Sequence, residues 1–270
     1  MKKQEIVNAI GEGIERNGYT VTVNKVYKGT KELTGLVFKK PEVNIAPTLY
    51  IESVPCLEEK ETIDEVLDKC IEVVEASDAA SFEVEDLFKP ENLMICACLA
   101  SAKEYLNDTP VRIIGDIALY CRVVLDGASC VVRNNVLGFI GLSEEEIFKR
   151  AIKNGKLEIM PLMSVLADMM GDIDIPEDEL GLMVGTNHDR VLGAGIAFAD
   201  TAKLRKYKRD FYILPSSIHE VLYVSCDEVP DVENLRNMVR EVNDTQVSEE
   251  ERLSYSVFRY SYEDDTICVA

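Results

Sequence analysis

Nucleophilic catalysis is the first chemistry to consider for the stretch Phe211 to Val224, because Ser216, Ser217, His219 and Glu220 lie close together in it. A serine hydrolase needs a serine, a histidine and a carboxylate held in one geometry. Neighbouring residues of a strand point to opposite faces, so His219 and Glu220 are not expected to meet, and no G-x-S-x-G elbow is present. Proline and serine are also ordinary turn residues. The sequence therefore favours a strand–turn–strand corner that His219 helps to hold.

Metal and cofactor sites are not predicted. Cys96 and Cys98 would share one strand face, but they lack the paired spacings of a four-ligand zinc site. The acids between 171 and 179 lack the glycine and the closing glutamate of an EF-hand. Gly193-Ala194-Gly195 is only superficially like a dinucleotide loop, because Phe198 stands where the third glycine should be. Small residues at this point predict a helix that lies close to a sheet.

Charge points to a protein partner. The chain has 49 acidic and 29 basic residues and a net charge of −20, which disfavours direct contact with nucleic acid or anionic membranes. The acids are concentrated in residues 52–86 and 226–270. Solvated helix faces account for such segments in most proteins, but they also suit a basic partner. The predicted partner-binding residues are Glu61, Asp64, Glu65, Asp68, Glu249, Glu250 and Glu251.

The elements that would position these residues follow from hydrophobic periodicity. Ser143 and Glu146 form a capping box at one helix start. Helices are predicted at 4–16, 58–76, 143–154, 195–207 and 231–243. Strands are predicted at 20–27, 33–38, 47–51, 93–99, 117–124, 129–136, 180–185, 211–214, 220–225, 254–260 and 266–269. This order predicts an α+β fold with antiparallel or mixed sheets and helices packed on one side.

Domain organisation and location are read from length and composition. A chain of 270 residues allows one large domain or two ordinary ones. We predict two α+β lobes, 1–150 and 151–270, with one continuous domain as the alternative. The start lacks the apolar run of a signal peptide, and the eight cysteines lie mostly in apolar runs. A cytoplasmic protein with reduced, buried thiols is therefore expected.

Several motifs resemble an uncharacterised bacterial family, domain-of-unknown-function family 5688. The stretch 213–222, ILPSSIHEVL, is similar to the family signature LPSSIHEV. Residues 182–187, 193–197 and 239–254 are similar to its other segments, including a V-x-x-V-N-x-T-x-V-x-x-E-E-x-L-S tail. The resemblance implies an association with mobile elements, and it supplies no catalytic residues.

Two functions remain open at this point. The favoured one is a non-enzymatic interaction module with acidic surfaces, for example an acidic decoy of a nucleic-acid-binding partner in counter-defence. The alternative is a small-ligand-binding protein or a hydrolase-like enzyme that uses a pocket near Ser216, Ser217 and His219. Oligomeric state does not follow from the sequence.

Overall fold

A computed structural model describes most of the chain. The described residues are 3–28, 31–40, 46, 48–53, 67–68, 71–72, 75, 87–102, 106–125, 128–170, 181–215, 217–229 and 231–270. They form seven α-helices and three antiparallel sheets, which confirms the α+β class. None of the described helices is long and apolar enough to cross a membrane. The chain divides by its contacts into two compact units, residues 1–86 and 87–270.

The N-terminal unit is a helix on a three-stranded sheet. Helix α1 (Lys3–Arg16) turns Val7, Ile10 and Ile14 inward at helical spacing, and these side chains are buried against the sheet. The strands follow in chain order: β1 (Thr20–Lys28), β2 (Lys31–Lys39) and β3 (Thr48–Tyr50). Residues 67–68, 71–72 and 75 are helical, within the predicted helix 58–76. The half-buried Leu67 packs against the core of the unit.

The C-terminal unit contains two sheets. The four-stranded sheet consists of β4 (Leu93–Leu99), β5 (Val111–Ile114), β6 (Ile117–Leu125) and β7 (Ala128–Val131). Strand β6 pairs with β4 along one edge and with β5 and β7 along the other. The six-stranded sheet has the order β13-β12-β10-β11-β9-β8. Its strands are β8 (Glu158–Pro161), β9 (Met183–Thr186), β10 (Phe211–Leu214), β11 (Val221–Ser225), β12 (Phe258–Ser261) and β13 (Thr266–Val269).

Six helices join these strands. They are α2 (Asn134–Ile140), α3 (Glu144–Gly155), α4 (Leu162–Met170), α5 (Ala194–Ala199), α6 (Ala202–Arg205) and α7 (Val232–Thr245). Helix α3 starts with the predicted capping box, in which the Glu146 N–H donates to the Ser143 hydroxyl and the Glu146 carboxylate accepts from the Ser143 N–H. The predicted lobe boundary at 150/151 falls inside α3, and whether the chain has two separately folding lobes at that point stays a prediction.

The six-stranded sheet is covered on both faces, whereas the sequence predicted helices on one side. Strand alternation places Leu214 and Val224 on one face, where they pack with Leu235 and Val239 of α7. Tyr223 lies on the other face, where its buried hydroxyl donates to the Ala197 carbonyl of α5 at 2.9 Å. A strand that is buried on both faces reads as a nearly continuous apolar run, as the FYIL of β10 and the VLYV of β11 do.

Several elements differ from the prediction. Helix α2 begins at Asn134, where a strand was expected to continue to 136, and β5, β8 and α4 were not predicted. The predicted helix 195–207 is two helices, because Asp200 is extended and its carboxylate accepts from the Ala202 N–H, which restarts the turn. The hairpin turn predicted at Asp126-Gly127 lies outside the described residues, but β6 and β7 flank it as expected.

Close packing of α5 on a strand is confirmed. A Cβ atom added at Gly195 would stand 2.4 Å from the Ile95 carbonyl oxygen and 2.6 Å from the Cys96 Cα. Only glycine leaves room for a backbone approach of this kind. Gly195 therefore serves close packing between α5 and β4.

Candidate functional site

Three chain segments meet where β9 and β10 end and β11 begins, and they bring the sequence motifs together. The first runs from Thr186 to Gly193, between β9 and α5. The second is Ser217 to Glu220, between β10 and β11, and the third is the turn after α7 that contains Glu251. We call residues 186–193, 217–220 and 251 the corner.

Backbone groups hold the corner together. The Ile218 N–H donates to the Glu251 carbonyl at 2.8 Å, and the Ala194 N–H donates to the Ile218 carbonyl at 3.2 Å. The Thr186 hydroxyl donates to the His219 carbonyl at 2.8 Å. A Cβ at Gly193 would lie 2.3 Å from the Thr186 Oγ1 and 2.7 Å from the His219 carbonyl oxygen. The absence of a side chain at Gly193 is therefore what lets the first two segments touch.

Both ring nitrogens of His219 face groups of the protein. The Leu192 N–H donates to Nδ1 at 3.1 Å, which requires an unprotonated Nδ1 and places the ring proton of the neutral imidazole on Nε2. Nε2 faces the Glu251 carboxylate at 3.6 Å. A triad histidine has the opposite arrangement, with a protonated Nδ1 and a free Nε2. His219 thus acts here as a backbone acceptor, and its side chain is 26% exposed.

The Ser217 hydroxyl is also used within the turn. It donates to the Glu220 carboxylate at 2.6 Å and accepts from the His219 N–H at 3.0 Å. Ser217 is buried, so its oxygen is poorly placed to reach a substrate. This is the turn role expected for a serine in this stretch. Ser216 lies outside the described residues.

The loop between β9 and α5 is braced from inside. The Asn187 side chain accepts from the Val191 N–H at 3.1 Å and donates to the Val191 carbonyl at 2.8 Å. Arg190 and Leu192 have φ values of 54° and 56°, which are uncommon for residues other than glycine. Such backbone costs on the order of 1–3 kcal/mol, so the surrounding bonds must stabilise it. His188 is exposed in this turn, where its Nδ1 lies 2.9 Å from Glu158.

Among the described cysteines, Cys96, Cys98 and Cys121 are buried, whereas Cys226 is half-buried and Cys130 and Cys268 are exposed, so the expectation of buried thiols holds for three of these six. Burial raises the pKa of Cys96, Cys98 and Cys121 to about 12, so these side chains carry the S–H form near neutral pH. Zinc and nucleophilic chemistry both need the thiolate. Among the described residues, no group of three His, Cys, Asp or Glu side chains is placed to hold a metal ion. The acids between 171 and 179 lie outside that part of the chain.

The predicted partner-binding acids fall into two groups. In the N-terminal unit, Asp68 is exposed, and Glu72 and Glu75 are exposed beside it at helical spacing, while Leu67 and Ile71 are half-buried. None of these three acids has an ion pair with any described residue. We call Asp68, Glu72 and Glu75 the acidic face. Three further predicted residues, Glu61, Asp64 and Glu65, lie outside the described residues.

Many acids at the C-terminus serve the fold instead. Asp231 caps α7, and Glu233 pairs with Arg236 at 2.9 Å. Asp244 accepts from the Tyr255 hydroxyl at 2.6 Å. Glu251 faces His219. Of the two remaining predicted residues, Glu249 is exposed and Glu250 is half-buried.

The comparison with known families agrees with the motifs. The model of a family of unknown function, DUF5688, matches residues 3–262. The chain belongs to this family. No curated protein and no solved structure matches it. In this DUF5688 chain the LPSSIHEV stretch, the residues at 186–193 and the E-E-x-L-S tail all contribute groups to one corner.

Sequence reasoning missed two polar contacts. Glu251 was predicted as a partner-binding residue, but it also faces His219, which lies far from it in sequence. Asp116 was not singled out, although its carboxylate accepts from Ser254 at 2.8 Å and from Ser256 at 3.2 Å. The family tail contains both Glu251 and Ser254, so the likeness to the family marked these two residues, and the concentration of acids also marked Glu251. Spacing along the chain could not have paired them.

Proposed function

We propose that this chain is a non-enzymatic interaction module that binds a basic protein partner through its acidic face. The observation that carries the proposal is the state of Asp68, Glu72 and Glu75, which are exposed and have no ion pair with any described residue. Exposed carboxylates that no described residue pairs with can direct their field toward a partner.

The character of the partner follows from this charge. A row of carboxylates along a helix resembles the phosphates of a nucleic-acid strand in charge and regularity. A nucleic-acid-binding protein presents the complementary basic surface. We therefore propose the role of an acidic decoy in the cytoplasm, for which the mobile-element association that the resemblance implies would suit a counter-defence setting.

The internal use of the corner supports binding rather than catalysis. The Ser217 hydroxyl donates a hydrogen bond to the Glu220 carboxylate, and His219 Nδ1 accepts one from the Leu192 N–H. A hydrolase needs those same groups free for a substrate. No contact among the described residues favours the hydrolase alternative.

Affinity capture from the native host tests the proposal. The wild-type chain is compared with a variant in which Asp68, Glu72 and Glu75 are all changed to Lys. We expect the wild-type chain to retain a protein of basic isoelectric point at moderate salt, and the charge-reversed variant to lose it. Titration calorimetry with the retained protein then measures the loss, expected to be tenfold or more because like charges now face each other.

The matched control changes Glu228, Glu241 and Glu263 to Lys. These acids are exposed and lie in the C-terminal unit, and the change in net charge is the same. The control should bind the partner as the wild-type chain does. Equal loss in both variants would show that net charge alone drives capture, and retention in both would end the proposal.

A further inference from the structure

A basic turn interrupts this acidic chain. Residues 203–209, KLRKYKR, contain five lysine and arginine side chains and no acid, whereas the whole chain has a net charge of −20. The segment contains the last three residues of α6, 203–205, and the next four, 206–209, and Asp210 separates it from β10. We call Lys203 to Arg209 the basic turn.

The backbone gathers these charges into a small area. The Tyr207 N–H donates to the Leu204 carbonyl at 3.0 Å, and the Lys208 N–H donates to the Arg205 carbonyl at 3.2 Å. Lys208 has a φ of 55°, which reverses the chain toward β10. Lys203 and Lys206 are three residues apart on helical backbone and are therefore neighbours on its surface.

Most of these cations form no ion pair with a described residue. Arg205 pairs with Asp265 at 3.3 Å, and the nearby Asp210 is taken by Arg259 at 2.6 Å. The other four cations have no ion pair with any described residue: Lys203, Lys206, Lys208 and Arg209. Like charges at this spacing destabilise a turn rather than stabilise it. A binding role accounts for a concentration of charge that the fold itself opposes.

An aromatic side chain stands among the cations. Tyr207 is 43% exposed, and its ring meets Phe211 edge to face at 5.5 Å between centroids. Phe211 is buried and fixes one side of the Tyr207 ring. An anchored, partly exposed ring between lysines offers a surface on which a base can stack.

We infer that the basic turn binds a short stretch of single-stranded nucleic acid, with phosphates at the four cations that pair with no described residue and a base on Tyr207. The net charge of the chain repels extended polyanions, and this is why a duplex or a membrane is disfavoured. A flexible strand can contact the turn and leave the surface within about 10 Å, the screening length at 0.1 M salt. An acidic peptide could use the cations, but it would leave Tyr207 without a stacking partner. This inference uses residues distinct from the acidic face.

Fluorescence anisotropy with labelled oligo(U) and oligo(dT) tests the inference on the full chain. Four phosphate contacts predict a slope of log K against log salt of about −3 for a single strand. Changing Lys206, Lys208 and Arg209 to Gln should bring the slope to about −1 and weaken binding roughly tenfold or more at low salt. Tyr207→Leu should weaken binding by roughly 5- to 100-fold and leave the slope unchanged.

The control removes three exposed lysines elsewhere, by changing Lys149, Lys153 and Lys156 to Gln. It should bind like the wild-type chain, and melting curves confirm that every variant is folded. Absence of binding at low salt, or equal weakening by the control, would overturn the inference. It would also fall if Tyr207→Leu has no effect, or if phosphatidylserine vesicles or a polyglutamate peptide bind more tightly through the same cations.

Discussion

His219 uses its hydrogen-bonding capacity inside the fold. Nδ1 accepts from Leu192, its carbonyl accepts from Thr186, and its N–H donates to Ser217. A titratable side chain beside two serines is typical of an active site in sequence. The geometry instead gives His219 and Ser217 partners within the corner, and that is a structural role.

Replacing His219 with Ala should lower the free energy of unfolding by about 1–3 kcal/mol. The loss arises because the Leu192 N–H loses its acceptor and the strained loop loses a brace. Urea denaturation measures it, and His188→Ala is the control, since the His188 side chain is 78% exposed. Equal stability of the His219 and His188 variants would contradict the structural role.

Gly193→Ala should destabilise the chain by about 3 kcal/mol or more. The added Cβ would lie 2.5 Å from the Asn187 backbone nitrogen, and backbone atoms cannot move aside cheaply. Gly138→Ala is the matched control, because Gly138 lies in α2 and a Cβ there meets nothing within 4 Å. That control should stabilise the chain by about 0.5–1 kcal/mol. Thermal melts of the pair decide between a packed corner and an open one.

The two sheets of the C-terminal unit are joined by the turn between β5 and β6. Gly115, with a φ of 57°, lies against Val269 and Phe258, and Asp116 accepts from Ser254 and Ser256. The turn residues Gly and Asp are typical of a hairpin, but nothing in their type shows that a carboxylate reaches across to a segment near the C-terminus. Long-range polar contacts of this kind are what periodicity cannot predict.

Removing the Asp116 carboxylate should show how much its hydrogen bonds contribute to the stability of the fold. Asp116→Ala should cost about 2–3 kcal/mol, since two hydrogen bonds to a charged group are lost. A double-mutant cycle with Ser254→Ala should return a coupling energy of about 1 kcal/mol or more, because the two groups touch directly. Additive losses would show that the Ser254–Asp116 bond contributes nothing.

The contacts of Asp210 with Tyr262 and Arg259 predict that the stability of the fold depends on pH. The Tyr262 N–H and then the Arg259 guanidinium lower the pKa of Asp210, which lies next to β10. A carboxylate whose folded pKa is below its unfolded pKa stabilises the fold above the unfolded value, about 4, and loses that effect as pH falls through the folded value. The stability difference between wild type and Asp210→Asn should therefore shrink on acidification from pH 5 to about 3. A constant difference would contradict the lowered pKa.

The order of elements could be predicted from the sequence, because local signals specify it. The capping box of α3, the alternation in β1 and the apolar run of β4 are each visible within the residues of the element itself. Strand β5 was missed because it is short and largely exposed, and the break at Asp200 was missed because alanine-rich residues continue past it. The candidate site could be predicted in its residues but not in its contacts, since Glu251 reaches His219 only through the fold.

At the scale of the whole molecule, the exposed charged side chains of the acidic face and the basic turn are better placed than the corner to bind other molecules. The corner groups bond to each other, while the acidic face and the basic turn have side chains that no described residue neutralises. The proposed function therefore depends on exposed side chains held in place by the two units. A change in the corner should affect function only through stability.

Affinity capture with His219→Gln tests this claim most directly, at a temperature where melting curves show that the variant is folded. The account predicts that His219→Gln retains the host partner as the wild-type chain does, while the Lys variant of Asp68, Glu72 and Glu75 loses it. A folded His219→Gln chain that loses the partner, beside a charge-reversed chain that keeps it, would place function in the corner and contradict the account.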